Sequence, residues 1–424
     1  MAGSAQTYRK VLALTGPVLP VISFLGRLPT AMCQLGSVLL VAETSGSLAT
    51  AGLAGGALAA GQTVAGPLLG RAADRYGQRV VVLAAALANA GAVTGLVLAA
   101  LSHLATGWLA LLGALAGASV PQVGPLARSR TVALAHRAGA DERTVAGALS
   151  FEGTLDEISF VLGPAFVGLA AALAHPAAAL LTAAALLAVC GTAFALHPTA
   201  RQVTAARRTG AARTRLPGAV YALRATMALQ GAMFGASQAG ITALTEQLGR
   251  PSQTGLVYAA MGVMSAAAGL AMVAVPERLA LPVRWRIATA ALVVLSVPML
   301  FVNTLVGLYA TVIVLGVAYA PHLITVFGLT ERLVPRDRLA ESMAFLTSGV
   351  VGGQALALAL SGRLAQDHGA VAAFAVMVVA GALCAVCSWS VRGLGGRRAQ
   401  AATADAVTGV AAAPRTPVDS CVDS

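Results

Sequence analysis

Gly70-Arg71-Ala72-Ala73-Asp74-Arg75-Tyr76-Gly77-Gln78-Arg79 is a short polar run carrying four charged side chains. It separates two apolar stretches, at about residues 47–69 and 80–102, and each is long enough for a bilayer core, which takes about 20 apolar residues as a helix. Two spans joined by so short a link form a membrane hairpin whose turn lies at one water interface. Gly70 and Gly77 permit a tight turn and close backbone approach. Asp74 is placed to pair with arginines at nearby helix ends, a lock that forms in one arrangement of the helices and breaks in another. The simpler account is a basic loop that only sets orientation, with an incidental aspartate.

The whole chain shares this character. Of 424 residues, 58% are hydrophobic and 10% charged, and the mean hydropathy is +0.80. Soluble globular chains run at about 25% charged. This composition therefore excludes a soluble enzyme, a secreted domain and a DNA-binding factor. The net charge of +12 sits in short arginine clusters between apolar runs, as topology signals do, so no nucleic-acid partner is expected. Cys33, Cys190, Cys384, Cys387 and Cys421 show no metal-ligand spacing with histidine. Cys384 and Cys387 read as small packing residues within an apolar run. Arg9 and Lys10 precede an apolar stretch that reaches about Val41 and contains Arg27, which reads as an uncleaved first span rather than a signal peptide.

Segments of spanning length fall at about 13–42, 47–69, 80–102, 106–127, 145–174, 176–197, 218–245, 253–275, 287–303, 305–329, 339–364 and 369–391. The expectation is an all-α membrane protein of twelve transmembrane helices. Arginine clusters follow every even-numbered span, and 24 cations on that side face only Arg250 and Arg363 on the other. By the positive-inside rule both termini are cytoplasmic. Trp108, Trp285 and Trp389 fall at span ends, as an aromatic belt would place them.

The arginine-rich stretch from His197 to Pro217 divides the chain into two six-helix, pseudo-symmetric halves. Val120-Pro121-Gln122 in span four matches Ala320-Pro321-His322 in span ten, and Arg143…Phe151 at the entry to span five matches Arg338…Phe345 at span eleven. The resulting organisation is a cytoplasmic N-terminus (1–12), a first bundle (13–197), a cytoplasmic central loop (198–217), a second bundle (218–392) and a disordered cytoplasmic tail (393–424).

The run from Gly70 to Arg79 resembles the G-x-x-x-D-R-x-G-x-R signature of the major facilitator superfamily, in the same loop after the second helix. Gly70, Asp74, Arg75, Gly77 and Arg79 are then the gating motif. The corresponding second-half loop, Pro276 to Arg286, keeps the charge but lacks the glycines and the aspartate, so the first copy carries any lock. Gly163-Pro164-Ala165-Phe166-Val167-Gly168 resembles the Gly-Pro signature of the drug/proton antiporter branch, with Gly168 as the only later glycine and displaced by a residue. An ordinary kinked helix explains it equally well.

A charge at membrane depth costs about 2.5–3.5 kcal/mol even on lenient scales, so each one calls for a reason. Span five carries Glu152, Asp156 and Glu157, the first two sharing one face. The resemblance makes helices one and five neighbours and implies an Arg27–Asp156 or Arg27–Glu157 pair, with Glu152 reaching Arg128 or Arg130. One reading is a buried pair that fixes packing. The other is a carboxylate that takes up a proton and releases the arginine.

The superfamily's cavity is lined by helices one, four, seven and ten. The resemblance thus nominates Arg27, Gln34, Gln122, Gln230, Gln238, Tyr309, Tyr319 and His322 as cavity residues, each of which has a plain packing account. So few polar anchors suit an amphiphile better than a sugar. No H-E-x-x-H or nucleotide-binding glycine loop is present, and no enzyme activity, metal or cofactor is expected. The expectation is a monomeric secondary transporter of a bacterial inner membrane, exporting a small apolar or amphiphilic compound such as a drug or secondary metabolite against protons. An uptake permease or organic-anion exchanger using Arg27 is the alternative. A non-transporting sensor or scaffold is the alternative from another class.

Overall fold

A computed structural model describes residues 2–202, 216–276 and 278–391. Most of the expected central loop and the tail from residue 392 lie outside the described residues, which contain helices and no strand. In chain order the helices are α1 (Ala2–Thr15), α2 (Val18–Ser45), α3 (Leu48–Tyr76), α4 (Gln78–Leu101), α5 (Thr106–Ala118), α6 (Val123–Arg137), α7 (Glu142–Leu173) and α8 (Pro176–Leu186). A π turn carries α8 into α9 (Thr192–Leu196), and the short α10 (Thr199–Gln202) follows. Then come α11 (Gly218–Gln247), α12 (Thr254–Ala271), α13 (Leu281–Ser296), α14 (Leu305–Leu333), α15 (Leu339–His368) and α16 (Ala370–Ser390).

Among the described residues ten segments are long and apolar enough to cross a membrane by length and composition. The expected second and seventh spans, α3 and α11, are continuous helices but not among those ten. Glycine and alanine replace bulkier apolar residues in α3, and α11 carries Arg224, Gln230 and Gln238.

The element boundaries have local causes. Ser47 caps α3 through the Thr50 amide at 3.2 Å, and Asp141 caps α7 through Thr144 at 2.9 Å. Gly77, at φ +90°, makes the turn between α3 and α4. The first span does not run unbroken from residue 13. Gly16-Pro17 interrupts it, with Gly16 at φ +68°, and the preceding residues form the separate helix α1. The expected fourth span is likewise two helices, α5 and α6, parted at Val120–Gln122 with Gln122 at φ +48°. Its counterpart Pro321 sits inside the unbroken α14, so the matched prolines do different things.

Two of the buried apolar clusters each lie within one stretch of the chain, the block before residue 203 or the block after 215. One buried apolar cluster draws on residues from Leu28 to Ala184, another on residues from Met233 to Cys384. Helix pairs within each block touch backbone to backbone. A Cβ on Gly113 of α5 would lie 2.6 Å from the Ala54 carbonyl of α3, and one on Gly235 of α11 would lie 2.8 Å from the Leu358 amide of α15. A third cluster joins the blocks, setting Val132 and Leu149 against Leu323, Phe327 and Met343. Trp285 lies in it with 0% exposure, so it is a core residue and not part of a belt, whereas Trp108 and Trp389 are exposed. Across this seam α3 and α6 pack on α15, and α7 packs on α12 and α14.

Candidate functional site

Four charged side chains on α2, α6 and α7 meet beside the seam. Arg27 of α2 pairs with the Glu152 carboxylate and, at 3.2 Å, with Asp156. Its Nη1 also donates to the Glu152 carbonyl at 2.9 Å. Asp156 in turn accepts from Arg128 of α6, and Thr131 donates to Glu152 at 2.9 Å. The α7 carboxylates are four residues apart and so project from one face. Gly124 of α6 makes room for them, because a Cβ there would lie 2.7 Å from Asp156 Oδ1.

Two guanidinium groups against two carboxylates make a balanced set in a nearly dry site, with side-chain exposures of 4% for Arg27 and Glu152 and 0% for Arg128. Arg128 also lies 3.4 Å above the Phe327 ring of α14, so the network touches the second block. Arg27 Nε and Arg128 Nε and Nη1 are buried without hydrogen-bond partners among the described residues. Neutralising either carboxylate leaves a buried guanidinium short of acceptors, which ties the charge state of the set to its packing.

Of the two expected pairings the structure has Arg27–Asp156 and not Arg27–Glu157, and it adds Glu152. Arg27 takes Glu152 and Asp156 rather than Glu157, because Glu157, one residue past Asp156, turns toward α12. Glu152 does not reach Arg128 or Arg130. Arg130 instead donates at 3.0 Å to Gln78 Oε1 and to the Phe194 carbonyl, anchoring α6 to α4 and α9.

Arg27, Gln122 and Asp156 line a cleft with Gln62, Ser159 and Thr347. Its space of about 40 Å³ is far below the ~300 Å³ of a typical small-molecule site, so a drug-sized solute enters only if the helices part. Gln62, missed in the sequence, bonds Gln34 at 3.4 Å. The other nominated residues lie elsewhere. Gln230 bonds the fully buried His322 and the Tyr319 carbonyl. Tyr319 stacks on Phe234 at 4.3 Å. Tyr309 bonds Gln253 near the loop after α11, and Gln238 is partly exposed on α11. In the Gly-Pro stretch, Pro164 lies within α7, Gly163 abuts Ala31 of α2, and Gly168 faces open space.

The seam is shut at the end where the arginine clusters gather. Asp74 of α3 accepts the amides of Ala340 and Glu341, at 3.1 and 2.8 Å, at the start of α15. Its partner is thus a helix N-terminus rather than the expected arginine, because those first-turn amides have no acceptor within their own helix. Burial pushes its carboxyl up to about 7, while the two amides pull it down. Arg71, not Asp74, makes the ion pair, with Glu341 at 2.7 Å. Gly70 lets the helices meet, since a Cβ would lie 2.7 Å from the Ala340 carbonyl. Arg75 and Arg79 are exposed, Arg75 resting over Tyr76.

His136–Glu331 and Arg332–Glu142 pairs close the same end. Helix α1 lies across it, Tyr8 donating to the Leu270 carbonyl at 2.8 Å and sharing a 3.1 Å bond with Ser150. Among the described residues no ion pair or side-chain hydrogen bond joins the blocks at the opposite end, where α2 ends and α15 finishes.

The family described as Major Facilitator Superfamily matches residues 224–417. No curated protein matches the chain. Among solved structures, the human organic anion transporter MFSD10 (TETRAN) is similar over 88% of this chain and 99% of its own, at TM-score 0.66 and 17% identity. A bacterial homologue of the iron transporter ferroportin, in an outward-facing state, is similar over 88% of this chain and 97% of its own, at TM-score 0.70 and 16% identity. At such identity the likeness is one of fold.

Proposed function

We propose that this chain is a multi-pass transporter of the major facilitator superfamily, whose family model matches residues 224–417, and that it works by alternating access, exporting a small apolar or amphiphilic compound in exchange for protons. The observation that carries the reading is the buried Arg27–Glu152–Asp156–Arg128 set on the wall of a cleft that is tied shut at one end only. A solute reaches that cleft from the untied end; parting α3 from α15 and α7 from α12 opens the other. In this reading the arginine-rich end is cytoplasmic, twelve helices form two bundles that rock about the seam, and the membrane is a bacterial inner membrane. Protons suit the coupling because span-five carboxylates outnumber the arginines that meet them.

The organic-anion reading needs Arg27 as the anion's counter-charge, and two carboxylates already occupy that group. The test is proton movement in everted vesicles, read with a pH-sensitive dye as ethidium, Hoechst dyes and lipophilic antibiotics are added. Collapse of the gradient by one of these compounds, only in vesicles bearing the protein, is the expected result. No response across a broad panel overturns drug export.

A further inference from the structure

Glu157 is the one buried span-five carboxylate without a cation. It is 7% exposed, and among the described residues it makes no ion pair, whereas Glu152 and Asp156 are both taken. Its height on the seam is fixed by neighbours on either side. Val161 of α7 packs on Gly262 of α12, and Thr154 of α7 packs on Gly269. The helices run antiparallel there, so Glu157 falls opposite Ser265. That hydroxyl is buried, faces the carboxylate and meets hydrogen-bond geometry with no group among the described residues. The titratable groups around Glu157 are Asp156 on its own helix, Tyr258 from α12 and Tyr319 from α14. These polar neighbours are an alcohol, two phenols and another acid.

We propose that Glu157 carries the transported proton and that the shut α7–α12 contact favours its neutral form. This rests on the proton-antiport reading above and names the group that serves it. An ionised carboxylate pressed between two blocks with only hydroxyls nearby is poorly solvated, and a carboxylic acid there can donate to Ser265 or a phenol. With the seam closed, the carboxylate accepts a proton from hydronium entering by the neighbouring cleft, leaving water. When α7 and α12 part, water reaches the acid and the proton returns to water on the arginine-rich side; the ion left behind opposes reclosure, which the solute bound for export drives, and once the seam is shut the carboxylate takes its next proton from the cleft. Asp156 lines the cleft one residue away, so the proton's route passes the Arg27–Arg128 set without requiring either arginine to discharge.

The test needs no known solute. Donor and acceptor dyes are placed on the exposed Ala138→Cys and Leu279→Cys positions of the full chain in liposomes, and opening is followed from pH 5.5 to 8.5. Each linked proton changes the open-to-shut ratio tenfold per pH unit. The expected result is that Glu157→Gln favours the shut form at every pH and loses one proton's worth of slope, while Glu157→Asp keeps the slope. Ser265→Ala keeps the slope with a shifted midpoint and guards against a folding defect in the Glu157 variants. A Glu157→Gln protein that titrates like wild type overturns the assignment, as does a slope lost only in Asp156→Asn. If the slope behaves as expected but no dye or antibiotic moves protons in vesicles, the assignment stands and drug antiport falls.

Discussion

The Arg128 guanidinium lies 3.4 Å from the centre of the Phe327 ring, joining α6 of the first block to α14 of the second. The same arginine neutralises Asp156, so a charge in the first block and a ring in the second share one group. A desolvated cation–ring contact is worth about 2 kcal/mol. Phe327→Leu keeps the volume roughly and removes the π face. It should raise the open fraction at the arginine-rich end at least several-fold, measured by cysteine accessibility there, with Arg128→Lys giving the same direction because a lysine forfeits the planar stack.

Arg27 answers two carboxylates. Removing one partner of a buried pair typically costs 3–5 kcal/mol, chiefly from the charge left behind. Arg27→Gln should therefore lower thermal stability in detergent sharply. Arg27→Gln with Glu152→Gln should recover part of the loss, and strictly additive effects would show that the two residues do not share the interaction seen here.

Asp74 gives the closed end a pH dependence of known sign. Docked, its carboxyl is pushed up to about 7 by burial; undocked into water it reverts to an ordinary value of about 3.9. The raised docked value means that protonation favours docking. Its contribution to closure is full below about pH 4 and is lost as pH rises through about 7. Distances between labelled tips of α3 and α15 should lengthen from pH 6 to 8, and Asp74→Asn should remove one proton from that response.

Tyr8 fastens α1 over the seam through Leu270 and Ser150. A hydrogen bond of this kind contributes about 0.5–1.5 kcal/mol. Tyr8→Phe, which keeps the ring beside Phe151, should increase protease cutting near the start of α1 without lowering the melting temperature of the bundle. An unchanged cutting rate would show that the ring alone holds the helix.

The two glycines of the Gly-Pro stretch should separate cleanly. A Cβ on Gly163 would lie 2.7 Å from Ala31 Cβ, while Gly168 has open space. Gly163→Leu should cost about 1–3 kcal/mol through overpacking, and Gly168→Leu should stay within about 0.5 kcal/mol. Thermal unfolding of both variants in one detergent decides it.

The helical plan was legible because apolar runs of spanning length and arginine clusters repeat along the chain. Gly70 and Gly77 were readable for the same reason, since only a close approach and a turn explain them. Partner choice was not readable. Asp74 takes backbone amides, and a sequence does not display which helix start will face it. Arg27 meets Asp156 rather than Glu157 because one residue step turns a side chain about 100° around a helix, which spacing reveals only once the neighbouring helix is placed. His322 and Gln230 looked like cavity groups because polar residues in apolar helices invite that reading, yet each satisfies the other.

The glycine contacts decide where this molecule yields under load. Within a block, α5 rests on α3 and α11 on α15 through main chain that has no rotamers to spend. Across the seam, away from the main-chain contact of Gly70 with Ala340 at the tied end, Gly153, Gly262 and Gly352 meet the side chains of Ile324, Val161 and Thr63, which can swing away. Any force that separates the blocks is therefore absorbed along one compliant plane while the pairs on either side stay stiff. Small side-chain changes on that plane should tune how fast the protein cycles, and the same changes inside a block should decide only whether it folds.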